Sequence, residues 1–344
     1  IHTHPDPIGI GGMNRTSYNE NGPIYLNDQP TGAFGFTGRL AEICYYAFDV
    51  SPCQRIIIEN YLAAKYFANV IANDKYEYQT SFGDDVIGIG KENSSDFHNT
   101  SQGLNLFEIS VDDLLTTFNA PSPQYLLVGH NNTPLAWTSD NVPDTLSFQR
   151  LRRIWRFDRS GAIPVDKNVT LKFEPSELPT LPSGGFSKYG IIVDNNNGAL
   201  PNFTGSNSDI IGLELINGRY ECEAEIEHGA YLSVVAIKPT VNFALSTTSV
   251  IEGDVGDPSL FETIYMELNY SPPSSESFTI TLNNVDGTAL TSDEYLWPSS
   301  NNDPIDFVGG LRERSLDVQI VNDDVAAGDD PIEEFYVLLN STTT

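Results

Sequence analysis

The sequence predicts an all-β protein composed of tandem antiparallel β-sandwiches, with one helix. Residues 169–173 and 278–282 alternate apolar and polar side chains with a period of two, and so do residues 264–268 and 316–320. This period is the repeat of a strand that has one buried face. Turn residues (Gly, Pro, Asn and Asp) separate these short segments, a pattern typical of antiparallel sandwiches. The sequence shows no strand–helix alternation of the doubly wound kind.

The helix is predicted from residue 51 onward. Ser51 suits the N-cap, Pro52 suits the first helical position, and Gln54 completes a capping box. Apolar positions then recur every three to four residues, which gives the helix one apolar face. The residues predicted for this face are Ile57, Ile58, Tyr61, Leu62, Ala64 and Lys65.

Composition limits the classes of partner. The chain has 344 residues, of which 40% are hydrophobic, so it is long enough for two or three packed domains. Its 47 acidic and 18 basic residues give a net charge of −29, which repels nucleic acids and anionic lipid. No apolar run approaches the 18 residues or so that a membrane helix needs. We therefore expect neither nucleic-acid binding nor membrane insertion, but cation binding or solubility in salt.

The three cysteines, Cys44, Cys53 and Cys222, are too few for a disulfide scaffold. A bridge between Cys44 and Cys53 stays open as an alternative. Cys222 lies in a strand-like segment, where a small buried hydrophobic side chain is the simpler interpretation.

Changes in the sequence pattern predict two domain boundaries. One follows the helix near residues 73–76, and the other lies at residues 237–240, where one alternating series ends and another begins. The predicted units are residues 1–72, 73–238 and 239–344.

Acidic clusters alternate with predicted strands in the last hundred residues, at 249–254, 292–295, 321–324 and 329–335. Carboxylates gathered at strand ends repel one another unless a cation lies between them. Calcium, which takes about 6–8 oxygen ligands, suits such clusters. The pattern therefore predicts a calcium-stiffened β-protein.

Two segments resemble modules of large secreted bacterial proteins. Residues 35–46, together with the end of the helix at 60–66, resemble the end of a laminin-G or concanavalin-like module. This resemblance implies that residues 1–72 are the C-terminal part of a jelly-roll with its capping helix. Residues 86–238 resemble the β-sandwich that often follows such a module.

Residues 240–344 resemble a Calx-β domain, an immunoglobulin-like sandwich. Residues 243–254 match its opening, 287–295 its middle, and 320–324 with 330–335 its acidic signature. The resemblance implies Ca²⁺ as the cofactor, and it implies a set of metal ligands. These are Glu252, Asp293, Asp323, Asp324, Asp330 and Glu333.

Two differences from the Calx-β pattern concern the same ligands. Asp330 stands where Glu is usual, and about two additional residues follow Asp324. The number of bound ions therefore stays open. The closing strand of the domain is expected after residue 339, so both ends of the chain resemble cuts through domains.

Other residues offer alternatives. Arg150, Arg152, Arg153, Arg156 and Arg159 form a basic cluster among aromatic residues, which suits an acidic glycan or an acidic domain. Pairing of these arginines with local carboxylates is the simpler interpretation. The three tryptophans, Trp137, Trp155 and Trp297, suit either sugar stacking or core packing.

The sequence contains none of the common catalytic motifs, such as G-x-S-x-G or HExxH, so we do not expect this chain to be an enzyme. The resemblances imply a structural or adhesive segment of a large exported bacterial cell-surface or filament protein, rigidified by calcium. Its expected partners are other domains or copies of the same protein, with glycans as a further candidate, at an extracellular location. The alternative is a carbohydrate-binding region of a secreted polysaccharide-degrading enzyme.

Overall fold

The chain is mostly β, with several antiparallel sheets, which confirms the predicted fold class. The computed structural model describes residues 9–10, 25–26, 41–66, 73–104, 106–112, 123–161, 168–205, 208–250, 260–289, 295–298, 305–321 and 334–343. Two short strands, β1 (Gly9–Ile10) and β2 (Tyr25–Leu26), pair in parallel. The helices are α1 (Pro52–Tyr66) and α2 (Gln79–Phe82). None of the described helices combines the length and apolar character that crossing a membrane requires.

The capping box predicted for α1 is confirmed. The Ser51 backbone N–H donates to Gln54 Oε1 (3.1 Å), and the Gln54 N–H donates to Ser51 Oγ (3.3 Å). The predicted apolar face is only partly right. Ile57 and Ala64 are buried, but so are Cys53, Ile56, Asn60 and Ala63, whereas Lys65 is exposed.

The middle sandwich follows α2. Its strands are β3 (Asp84–Asn93), β4 (Asp96–His98), β5 (Thr100–Gln102), β6 (Phe107–Ser110), β7 (Gln124–His130), β8 (Trp137–Thr138), β9 (Phe148–Leu151), β10 (Trp155–Ser160), β11 (Asn168–Phe173), β12 (Lys188–Asp194), β13 (Ser208–Gly212), β14 (Glu214–Ile216), β15 (Arg219–Glu225) and β16 (Tyr231–Ile237). A 3-10 turn at Pro175–Glu177 follows β11.

Two sheets form this sandwich. The large sheet has the order β13-β12-β16-β10-β7-β3-β4, and β9 pairs with both β16 and β8. The facing sheet has the order β14-β15-β11-β6-β5. The core lies between them, where Phe157 and Leu232 of the large sheet meet Leu171 and Phe173 of the facing sheet. Within the facing sheet, β11 and β15 pair antiparallel, with Leu171 opposite Cys222.

The outer face of the large sheet is also covered. Helix α1 packs on it through Cys53, Ile56 and Ile57, which meet Tyr125 and Leu127 of β7. All seven residues of β7 are therefore buried. The seven residues of β16 are buried as well, but its Tyr231, Val235 and Ile237 pack in a second cluster of this face. Gly90 in β3 makes room for this layer, because a Cβ there would lie 2.3 Å from the Tyr125 ring. Thus α1, which the sequence assigned to the first unit, packs on the middle sandwich.

The next sandwich follows β16 after a connection of three residues. Its strands are β17 (Val241–Phe243), β18 (Leu260–Leu268), β19 (Ser277–Asp286), β20 (Tyr295–Leu296), β21 (Ile305–Val308), β22 (Glu313–Ile320) and β23 (Phe335–Thr343). One sheet has the order β17-β18-β22-β20 and the other β21-β19-β23. We call this unit the third sandwich, because it corresponds to the third predicted unit, residues 239–344. Its core includes Met266, Ile280, Phe307 and Val318.

Candidate functional site

The six predicted calcium ligands, Glu252, Asp293, Asp323, Asp324, Asp330 and Glu333, lie outside the described residues. The structure does describe the strands that flank them. Their positions decide whether the segments that carry the ligands start and end near one another.

The flanking strand ends meet at one tip of the third sandwich. Leu260, the first residue of β18, is paired with Ile320, the last residue of β22. Tyr295, the first residue of β20, is also paired with Ile320. At the end of the other sheet, Asp286 of β19 is paired with Phe335, the first residue of β23. We call this end of the third sandwich the acidic tip.

Tyr295 connects the two sheets at the acidic tip. Its side chain is buried, and its ring stacks on Phe335 with the ring centroids 4.2 Å apart. The Tyr295 hydroxyl donates to Asp286 Oδ1 (2.6 Å) and accepts a hydrogen bond from Asn284 Nδ2 (3.1 Å). One side chain thus fixes the ends of β19, β20 and β23 relative to one another.

Asp286 is an acid at this tip that the sequence analysis did not single out. It is exposed and ends β19, so its carboxylate lies where the predicted ligand segments begin and end. The alternation at 278–282 ends at Leu282, because Asn283 and Asn284 are both polar, so no local pattern marks Asp286 as a residue of this tip. The connection at 288–289 is also held at this tip, where the Glu334 N–H donates to Thr288 Oγ1 (2.8 Å).

Within the part of the chain that the structure describes, no group of three or more His, Cys, Asp or Glu side chains is arranged to hold a metal ion. The cysteines there are free thiols, so the Cys44–Cys53 bridge is not formed. Cys44 is exposed, whereas burial raises the pKa of Cys53 to about 12. Cys222 is partly buried and packs against the core of the middle sandwich, in agreement with its expected packing role.

Arg156 does not fit the simpler interpretation of the arginine cluster, in which these side chains pair with local carboxylates; Arg150 and Arg153 likewise donate to backbone carbonyls. The Arg156 guanidinium is buried and donates to the neutral groups Tyr231 Oη, Asn197 Oδ1 (3.1 Å) and the Gly198 carbonyl (3.1 Å). It also lies 3.9 Å from the centroid of the Tyr78 ring and 4.2 Å from that of Tyr231. Such cation–π contacts are strongest when desolvated. We call Arg156 and these four contact residues the Arg156 clamp.

The Arg156 clamp and its neighbours attach the α1–β3 connection to the large sheet. The Tyr76 hydroxyl lies within hydrogen-bond distance of the Arg156 carbonyl of β10 (3.2 Å), and the Glu77 N–H donates to the buried carboxylate of Asp158 (2.6 Å). Buried Asn60 of α1 accepts a hydrogen bond from the Lys75 N–H (2.7 Å). These bonds fix α1 and the sandwich relative to one another.

The tryptophans divide between core and rim. Trp155 and Trp297 are buried, in agreement with core packing. Trp137 is partly buried; its Nε1 donates to the Thr180 carbonyl (2.8 Å), and its ring is followed by those of Tyr189 and Tyr220. These three rings form a row at the rim between the two sheets.

The comparisons with known proteins concern the middle of the chain. No similar sequence was found among curated proteins. Residues 54–221 match a protein family described as "Domain of unknown function (DUF8202)". The matched range starts inside α1 and ends inside β15, so it combines the helix with most of the middle sandwich, as their packing does.

Proposed function

We propose that this chain is a structural or adhesive segment of a large exported bacterial cell-surface or filament protein, and that Ca²⁺ stiffens its third sandwich. The observation that carries the proposal is the convergence of strand ends at the acidic tip, where Leu260, Ile320 and Tyr295 pair across one sheet. Three predicted ligands are close to these ends in sequence. Asp293 precedes Tyr295 by two residues, Asp323 follows Ile320 by three, and Glu333 precedes Phe335 by two.

Electrostatics supplies the mechanism. Carboxylates brought close together without a cation raise one another's pKa and destabilise the fold. A bound Ca²⁺ removes that repulsion, and because it binds the folded state it adds ligand-linked stability. The ion would hold together connections that otherwise repel, so the tip becomes rigid.

The middle sandwich supports a structural role through its layering. Helix α1 packs near one edge of the large sheet, on β3 and β4, whereas the third sandwich meets the opposite edge at β13. Six strand spacings separate β4 from β13, or about 29 Å at about 4.8 Å each. The sheet therefore acts as a spacer that holds its two neighbours at a fixed separation.

Calorimetry of the full chain tests the calcium proposal. Millimolar Ca²⁺ should raise the melting temperature of the third sandwich, and the Glu252→Ala and Asp324→Ala variants should each abolish the rise. Glu313→Ala, an exposed acid at the opposite end of β22, is the matched control and should keep it. An unchanged melting curve after excess chelator, followed by excess Ca²⁺, would contradict the proposal.

Carbohydrate binding is a second candidate, which the row of partly exposed rings at Trp137, Tyr189 and Tyr220 favours. In this function the chain would be a binding region of a secreted polysaccharide-degrading enzyme. A glycan array probed with the full chain tests it. A signal that Trp137→Ala abolishes would support carbohydrate binding, and an array without signal would favour the structural role alone.

A further inference from the structure

The connection between the middle and third sandwiches is short and bonded along its length. Strand β16 ends at Ile237 and β17 begins at Val241. The side chain of Asn269 spans this connection, because its Nδ2 donates to the Lys238 carbonyl (3.0 Å) and its Oδ1 accepts from the Thr240 N–H (3.1 Å). The Lys238 N–H donates in turn to the Ser147 carbonyl (2.9 Å). The connection is thus fixed to both sandwiches.

The large sheet also continues across the boundary. Ser271 of the third sandwich forms a parallel β-bridge with Ile211 of edge strand β13. Its N–H donates to the Ile210 carbonyl and its carbonyl accepts from the Gly212 N–H, both at 2.8 Å. A rotation of one sandwich against the other would break both backbone hydrogen bonds.

Side chains surround this bridge. Lys188 of β12 forms an ion pair with Glu276, whose second carboxylate oxygen accepts from the Tyr270 hydroxyl (3.0 Å). Gly212 leaves space for Tyr270, because a Cβ at residue 212 would lie 3.0 Å from its ring. Apolar residues of both sandwiches, including Ile210 and Tyr270, belong to one continuous core cluster.

This junction is at the end of the third sandwich opposite the acidic tip. Strand β18 runs from Leu260 at the tip to Leu268, next to Asn269. Its nine residues span about 27 Å at about 3.4 Å per residue. A cation at the acidic tip therefore does not contact the junction.

We infer that Lys188, residues 210–212, Asn269, Ser271 and Glu276 form an interdomain lock that holds the two sandwiches in one orientation without any metal ion. The lock is built from backbone hydrogen bonds, one ion pair and shared core packing. It stands on these contacts alone, so it holds whether or not Ca²⁺ binds at the tip. The two ends of the third sandwich would then be stiffened by different means.

Distance measurements between spin labels test the lock in the full chain. Labels on Ser94→Cys in the middle sandwich and Ser315→Cys in the third, in a Cys44→Ser background, report the relative orientation by pulsed electron paramagnetic resonance. Both labelled positions are exposed. We expect one narrow distance distribution that is the same in excess chelator and in millimolar Ca²⁺. A distribution that is broad in chelator and narrows with Ca²⁺ would overturn the inference.

Two variants and one control sharpen the test. Gly212→Val places a side chain against Tyr270, and Glu276→Gln removes the ion pair with Lys188; each should broaden or shift the distribution. Glu267→Gln removes an ion pair with Arg312 that lies within the third sandwich, and should leave the distribution unchanged. Far-ultraviolet circular dichroism checks that each variant is folded. If Glu276→Gln and Gly212→Val both fold and keep the parental distribution, the lock does not exist.

Discussion

The middle and third sandwiches differ in how their sheets are covered. In the middle sandwich, α1 and the α1–β3 connection cover β7 on the outer face of the large sheet. The outward-facing residues Tyr231, Val235 and Ile237 of β16 pack instead in the cluster shared with the third sandwich, so both strands are buried on both faces. The third sandwich shows large apolar side chains on its outer faces, with Phe261 59% exposed and Tyr336 52% exposed. The middle sandwich therefore depends on the layers packed against its large sheet. The third sandwich depends on the contacts at its two ends, the acidic tip and the junction.

The largest effect is expected when an apolar side chain on the covered face is truncated, in comparison with one on the exposed face. Leu127 is fully buried beneath α1, so Leu127→Ala should lower the local free energy of unfolding by about 2–5 kcal/mol. Phe261→Ala on the exposed face of β18 is the matched control, with an expected change within about 0.5 kcal/mol. Hydrogen exchange of peptides from β7 and β18 measures both. Equal losses at the two positions would remove the distinction between the sandwiches.

A second prediction uses pH, because the five histidines of the chain all precede residue 239. His130 at the end of β7 is buried, and its Nδ1 accepts from the Asn132 N–H (3.0 Å). Burial, aided by the charge of Arg153, lowers the pKa of His130 from 6.5 to about 4. The unfolded chain therefore binds a proton between these pH values while the folded chain does not.

Stability from His130 is fully present above pH 6.5 and falls as the pH drops toward 4, by up to about 3 kcal/mol. His130→Gln should reduce this loss in the middle sandwich. Urea denaturation from pH 7 to pH 4, monitored by hydrogen exchange, gives the slope of the unfolding free energy against pH. Identical pH slopes for parent and His130→Gln would show that His130 does not titrate in this way.

The fold class and individual strands could be predicted because alternation is a local signal. Residues 169–173 fall within β11, and residues 278–282 fall within β19. The capping box of α1 could also be predicted, since its partners are three residues apart. Each of these features depends on neighbours in sequence.

Features that depend on distant partners could not be predicted. The buried face of α1 includes Asn60, a polar residue, because the backbone at residues 73–75 satisfies its amide group. Arg156 is buried without a carboxylate hydrogen-bond partner, because Tyr78, Asn197 and Tyr231 come from three separate parts of the chain. The calcium ligands remain a prediction, for which the structure supplies only the strand ends.

The smallest effect on stability is expected at the N-terminus of α1, the helix that covers part of the middle sandwich. Ser51→Ala removes the Oγ acceptor of the Gln54 N–H, which should cost about 1 kcal/mol of helix stability. In this variant the Cys53 N–H still donates to the Asp96 carboxylate of β4 (3.2 Å), and this second cap limits the loss of helix stability. Asp96→Ala in the Ser51→Ala background should therefore lower stability more than the sum of the two single variants. Hydrogen exchange of α1 measures all three variants. Simple additivity would show that the two caps act independently and would contradict the expected coupling.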